Sequence, residues 1–136
     1  MQKIHVAVVV IRYEGKILLL KRASSKKHFP SKWENIGGKI DEKEMPESAA
    51  VRETFEETGM KGRIIRKGSE FEVENLGAIF HVHPFLFEPQ NNEVKLSEEH
   101  TEYTWINLED YKKYDCVDEI EKDYVNLGMI QNSATL

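Results

Sequence analysis

Apolar positions fall in two rhythms along this chain. Residues 4–11 read IHVAVVVI, with β-branched side chains on both faces of an extended segment. Strands buried on both sides show that near-continuous pattern, so a strand is predicted over 4–13. Glu14-Gly15 marks a tight turn, and Ile17-Leu18-Leu19-Leu20 makes a second buried strand over 16–21. The two read as a hairpin. A basic loop follows over 21–32, and 33–40 holds the pair Gly37-Gly38. The rhythm then changes. Residues 46–58 read as a helix, with Pro46 suited to a first turn and Gly59 to the position past a helix end. Residues 61–74 predict a strand or hairpin. Residues 76–87 predict a long strand, bent or ended near Pro84 because proline cannot donate to a ladder. A polar loop over 91–99 leads to a short strand over 103–106. Helices are expected over 108–114 and 117–127, with a fraying end beyond. Strands outnumber helices, and the expected architecture is α+β, a mixed sheet packed between helices.

The 136 residues suit a single domain spanning 1–136. The formal net charge of −5 argues against a nucleic-acid polymer as partner, since such binders present a basic face. It also means that any polyphosphate must be held through a cation. No stretch approaches the ~20 apolar residues of a membrane span. The start of the chain lacks the pattern of an export signal, so a cytoplasmic location is expected. Cys116 is the single cysteine, which rules out an internal disulfide and reads best as a small buried hydrophobe.

The informative stretch is GGKIDEKEMPESAAVRETFEETGM, residues 37–60. On a helix, residues three and four apart share a face, so Glu53, Glu56 and Glu57 cluster. Ala49 and Ala50 lie near that face. Val51 and Phe55 fall on the other side, where they are expected to anchor the helix in the core. Three like charges repel, and Arg52 is one cation against them. A divalent cation resolves the conflict, because hard ions such as Mg²⁺ and Mn²⁺ take carboxylate oxygens together with water and phosphate.

These residues resemble the Nudix signature. Gly38, Glu44, Arg52-Glu53, Glu56-Glu57 and Gly59 stand at its spacings, with apolar Met60 closing it. A chance match of those seven positions is on the order of 10⁻⁸ at a given start, so the signal is specific. The chain departs from the pattern at Thr54, where an apolar residue is usual, and at Ile36, where many members carry proline. Thr54 is close enough to valine in shape to pack.

The resemblance implies an αβα sandwich and Mg²⁺- or Mn²⁺-dependent hydrolysis of a diphosphate linkage in a small nucleotide. A nucleoside triphosphate cut to the monophosphate and pyrophosphate is favoured. A nucleotide sugar, a dinucleoside polyphosphate and a non-catalytic nucleotide binder are the alternatives. Monomer and homodimer both stay open. By similarity Glu53, Glu56 and Glu57 are expected to hold metal, with a backbone carbonyl from Gly38 or Lys39. Arg52 would orient a glutamate by a bidentate pair, and Glu44 and Gly37 would support the site from behind. The general base is Glu53 or a glutamate of the loop before the late strand, where Glu98, Glu99 and Glu102 sit; Glu53 is favoured, with Glu98 or Glu102 adding a metal contact. Arg22 and Lys39 are candidates for substrate phosphates, although a solvated loop explains the basic residues equally simply. Phe29, Trp33, Tyr103 and Trp105 read better as packing than as base recognition. His81 and His83 alternate on one strand face, a spacing that can bind zinc, but no further ligand set is evident.

Overall fold

The computed structural model describes residues 1–131. The expectation of a fraying end concerns residues outside that range. Strand β1 (Lys3–Tyr13) is the axis of the sheet. It turns through Glu14 and Gly15, both with positive φ, into β2 (Lys16–Arg22), which returns antiparallel with Arg12 opposite Ile17. Two short strands follow, β3 (Trp33–Glu34) against β2 and β4 (Ile36–Lys39) against residues 6–9 of β1. The remaining strands are β5 (Gly62–Lys67), β6 (Phe71–Asn75), β7 (Ala78–Pro89) and β8 (His100–Ile106). β7 lies parallel to β1, while β5 and β6 run antiparallel to β7 and β8 antiparallel to β2.

Side chains alternate across a strand, so each long strand feeds two cores. Ala7, Val9, Ile11, Phe85 and Phe87 pack with Ala49 and Ala50 of helix α1 (Pro46–Thr58). Val10, Leu19 and Leu86 pack on the other face with Ile120 and Tyr124 of helix α2 (Ile120–Asn126). The mixed sheet therefore lies between helices. No helix among the described residues is long and apolar enough to cross a membrane.

Four expectations change. Residues 61–74 do not fold back on themselves, because β5 and β6 lie one after the other along β7. β7 runs straight through Pro84, which keeps its place opposite Val8 of β1. The Pro84 carbonyl accepts from Gly68, so its missing N–H faces the junction between β5 and β6 and removes no bond to β1. The helix expected over 108–114 is a 3-10 helix, Leu108–Lys113, closed by bonds such as Asp110 N–H to Asn107. Finally, α2 starts late because the backbone at 116–117 is committed to Trp33, through a bridge at Cys116 and the Val117 N–H on the Trp33 carbonyl.

Candidate active site

Helix α1 carries most of the site. Pro46 stands in its first turn, where a missing N–H costs nothing. Gly59 ends it at φ 71°, a left-handed conformation natural to glycine, and donates to the Phe55 carbonyl at 2.8 Å. The buried stripe is Ala49, Ala50, Thr54, Glu57 and Thr58. Val51 and Phe55, expected in the core, are instead 45% and 51% exposed. The helix meets the sheet on its alanines, because only small side chains allow so close an approach. That choice turns the stripe toward Glu57 and turns Val51 and Phe55 out. Thr54 packs as expected, with its hydroxyl donating to the Ala50 carbonyl at 2.8 Å, which satisfies its polar group internally.

Glu57 is therefore a charge on a core stripe. It is 3% exposed, and neither carboxylate oxygen has a hydrogen-bond partner. Burial, followed by the carboxylates of Glu53, Glu99 and Glu34, pushes its pKa up to about 10. A buried carboxylate without a hydrogen bond is costly, so the observation itself points to a cation as its partner.

Arg52 organises the neighbours. Its Nε and one terminal nitrogen donate to both oxygens of Glu44, at 2.8 and 2.9 Å. The other terminal nitrogen donates to Glu53 at 2.9 Å and to Glu56 at 3.3 Å, and the guanidinium also reaches the Lys39 carbonyl at 3.2 Å. One planar fork thus ties α1 to the end of β4. Glu44 accepts the Asp41 N–H as well, and the Arg52 fork holds its carboxyl down at about 2. Gly38 faces Glu53 so closely that a Cβ there would run into the carboxylate. Gly37 sits opposite Val8 in the β1–β4 ladder.

Across from α1, residues 97–99 close a cleft of about 340 Å³ lined by Glu53, Glu56, Glu57, Ser97, Glu98 and Glu99. The structure thus gathers Gly38, Glu44, Arg52, Glu53, Glu56, Glu57 and Glu98. It does not bring in Glu102, which pairs with Lys21 at 3.3 Å from its place on β8. Arg22 is occupied elsewhere. It donates to the His28 and Phe29 carbonyls and to Glu34, so it braces the basic loop. The Lys39 side chain is exposed. Trp33 packs edge-on against Tyr114 at 5.5 Å, and Trp105 packs on the α1-side core. Cys116 is half-buried, its thiol pushed up to about 11 by burial.

His100 escaped the sequence reading, and Glu99 was only one of the loop glutamates open as general base there. Glu99 and His100 stand with Glu57 in one group of possible ligand atoms. His100 is buried, with Nε2 at 2.9 Å from Glu34 and Nδ1 at 3.8 Å from Glu57. No local spacing could reveal this, because the contact is made by β8 pairing with β2. The donor set fits a hard divalent ion. It is rich in carboxylate oxygens, it includes a buried pair of oxygens without partners, and a glycine opens the space beside it.

The comparisons with known proteins agree with this geometry. The NUDIX domain family model matches residues 1–126. The CTP pyrophosphohydrolase of Escherichia coli (strain K12) is 30% identical over 114 residues, covering 84% of this chain and 83% of that protein. The nucleoside triphosphatase NudI of Klebsiella pneumoniae (strain 342) is 29% identical over 119 residues, covering 78% and 83%. The crystal structure of the MutT protein from Methanosarcina mazei Go1 superposes with a TM-score of 0.77 at 28% identity, covering 90% of each chain. The fold and site define a hydrolase acting on phosphoric anhydrides, and the chain belongs to the Nudix family.

Proposed function

We propose that this chain hydrolyses a nucleoside or deoxynucleoside triphosphate to the monophosphate and pyrophosphate, with Mg²⁺ or Mn²⁺ as cofactor. The observation that carries the reading is Glu57, buried without a hydrogen bond beside Glu53 and the Glu98-Glu99 loop. Relatives that act on nucleoside triphosphates support the substrate class.

Glu53, Glu56 and Glu57 would hold the metal, with a carbonyl from Gly38 or Lys39 and a carboxylate from Glu98 or Glu99. A divalent ion bound there neutralises phosphate charge and makes water easier to deprotonate. Glu53 accepts the proton of the attacking water. The water oxygen bonds to phosphorus, the bridging bond between the α and β phosphates breaks, and pyrophosphate departs with its electron pair. Arg52 fixes Glu53 and Glu56 in place and keeps Glu44 ionised behind them. The Lys39 ammonium, exposed at the end of β4, meets substrate phosphate. Little of this demands covalent chemistry, which is why orientation and charge dominate the site.

The test is pyrophosphate release from a panel of nucleoside triphosphates, nucleotide sugars and dinucleotides, with and without Mg²⁺. Triphosphate turnover that needs Mg²⁺, and falls at least about a hundredfold in kcat in Glu53→Gln, is the expected result. Mg²⁺-independent turnover, or exclusive turnover of another class, would refute the reading.

A further inference from the structure

A second group of ligand atoms lies away from the glutamates of α1. His5 stands directly opposite His81 in the parallel β1–β7 pair, and His83 follows two residues on, so all three imidazoles rise from one sheet face. One ring nitrogen from each lies within 4.8 Å of the others. His5 Nδ1 and His83 Nε2 are 3.1 Å apart. Two nitrogens bound to one tetrahedral ion at about 2.0 Å stand ~3.3 Å apart, so this spacing is close to that of a ligand pair.

The surroundings have the makings of support for such ligands. Glu72 sits opposite His81 in the β6–β7 ladder and lies 2.8 Å from its Nδ1. Glu70 reaches His81 Nε2 at 2.7 Å and approaches His83 Nδ1 to 3.6 Å. Both nitrogens of His81 thus meet a carboxylate, so an ion on one of them displaces one carboxylate and keeps the other behind the ring, the arrangement common to metal-binding imidazoles. The Nδ1 of His83 is buried without a hydrogen bond, 3.6 Å from Glu70. An ion on Nε2 sets the tautomer, so that Nδ1 carries the hydrogen and faces Glu70.

We propose that His5, His81 and His83 form a second cation site, distinct from the α1 glutamates, that takes Zn²⁺ with Glu70 or Glu72 in support. Imidazole favours zinc-like ions, whereas Mg²⁺ prefers oxygen. Three histidines from two strands, with carboxylates at the edge of a third, make the site a clamp. It ties β1, β6 and β7 together where the α1-side core ends beyond Ala7. Its occupancy stabilises the fold by mass action, as does any ligand that binds only the native state.

The experiment is calorimetric titration of Zn²⁺ into the full chain with Mg²⁺ in excess, followed by thermal melting. Wild type is expected to bind one equivalent and to melt at a higher temperature with zinc. His5→Gln and His81→Gln should lose that binding and that rise. Glu70→Gln should weaken binding by about tenfold to a hundredfold, the scale for a carboxylate behind a ligand. The double variant Glu53→Gln/Glu57→Gln should keep it. His5 is exposed, so its replacement leaves the core intact, and a cooperative melt without zinc verifies folding. Absence of zinc binding by wild type overturns the proposal. So does unchanged binding in both histidine variants, or loss in the glutamate variant with retention in His5→Gln.

Discussion

Gly38 and Glu53 meet face to face, β4 backbone against α1 carboxylate, with no room between them for a methyl group. The glycine is thus a condition for where Glu53 stands. Gly38→Ala must push the carboxylate aside or part β4 from α1. Displacing a catalytic group by about 1 Å costs on the order of a hundredfold in rate, so kcat should fall by about that much. The melting temperature should change little, because the side chain of Glu53 can move into the cleft. Steady-state kinetics with circular dichroism checks it, and activity within a few-fold of wild type contradicts the contact.

Glu57 should affect stability and catalysis in opposite directions. Its raised pKa means that the fold prefers the protonated acid, and that ionisation strains the metal-free protein. Glu57→Gln removes the charge but keeps the shape. Without divalent metal at pH 8, the variant should melt above wild type. With Mg²⁺ it should lose most activity, and the gain in melting temperature that wild type obtains from the ion should shrink. A variant less stable than wild type without metal would show that Glu57 is already satisfied.

The outward turn of Val51 and Phe55 has its own consequence. Phe55 is half exposed, with Lys61 Nζ 5.9 Å from its ring centre. Phe55→Ser should cost no more than about 0.5 kcal/mol, the scale of surface changes. Ala50 is fully buried between helix and sheet, and Ala50→Leu should cost about 1–3 kcal/mol by overpacking. Chemical denaturation of the two variants decides which face is the core face. A large loss in Phe55→Ser would restore the arrangement expected from apolarity alone.

That helix also marks how far the sequence could be read. Local chemistry located α1, because Pro46 and Gly59 punctuate it from inside the chain. The glutamate spacing likewise follows from helix geometry. The facing of α1 was misjudged because the largest apolar side chains seemed the natural anchors, whereas the sheet accepts only alanines there. Residues brought in by strand pairing were harder still. Glu99 and His100 reach Glu57 because β8 lies on β2, and His5 reaches His83 because β1 lies on β7. Neither pairing leaves a mark within a few residues of either partner. The Arg52 fork lies between these cases, since a bidentate pair with a glutamate was expected but its fall on Glu44 needed the loop over 40–45.

Asp123 gives a prediction on pH. It is buried on the inner face of α2 with Tyr124 and Asn35, accepts from the Asn35 amide at 2.9 Å, and has no cation beside it among the described residues. Burial pushes its pKa from 3.8 up to about 7. Between those values the folded state keeps a proton that the unfolded chain has released. The contribution of Asp123 to stability is therefore fullest below about pH 4, falls as pH rises toward 7, and levels off above it. The shift corresponds to about 4 kcal/mol at most, at 1.36 kcal/mol per unit. Asp123→Asn keeps a neutral side chain at every pH and should flatten this part of the profile, melting above wild type at pH 8 and close to it at pH 4.5. Comparing the two proteins at each pH cancels the titration of the other groups, so the difference reports Asp123. A wild-type profile that rises from pH 5 to 8, and is copied by the asparagine variant, would mean that Asp123 is ionised in the fold.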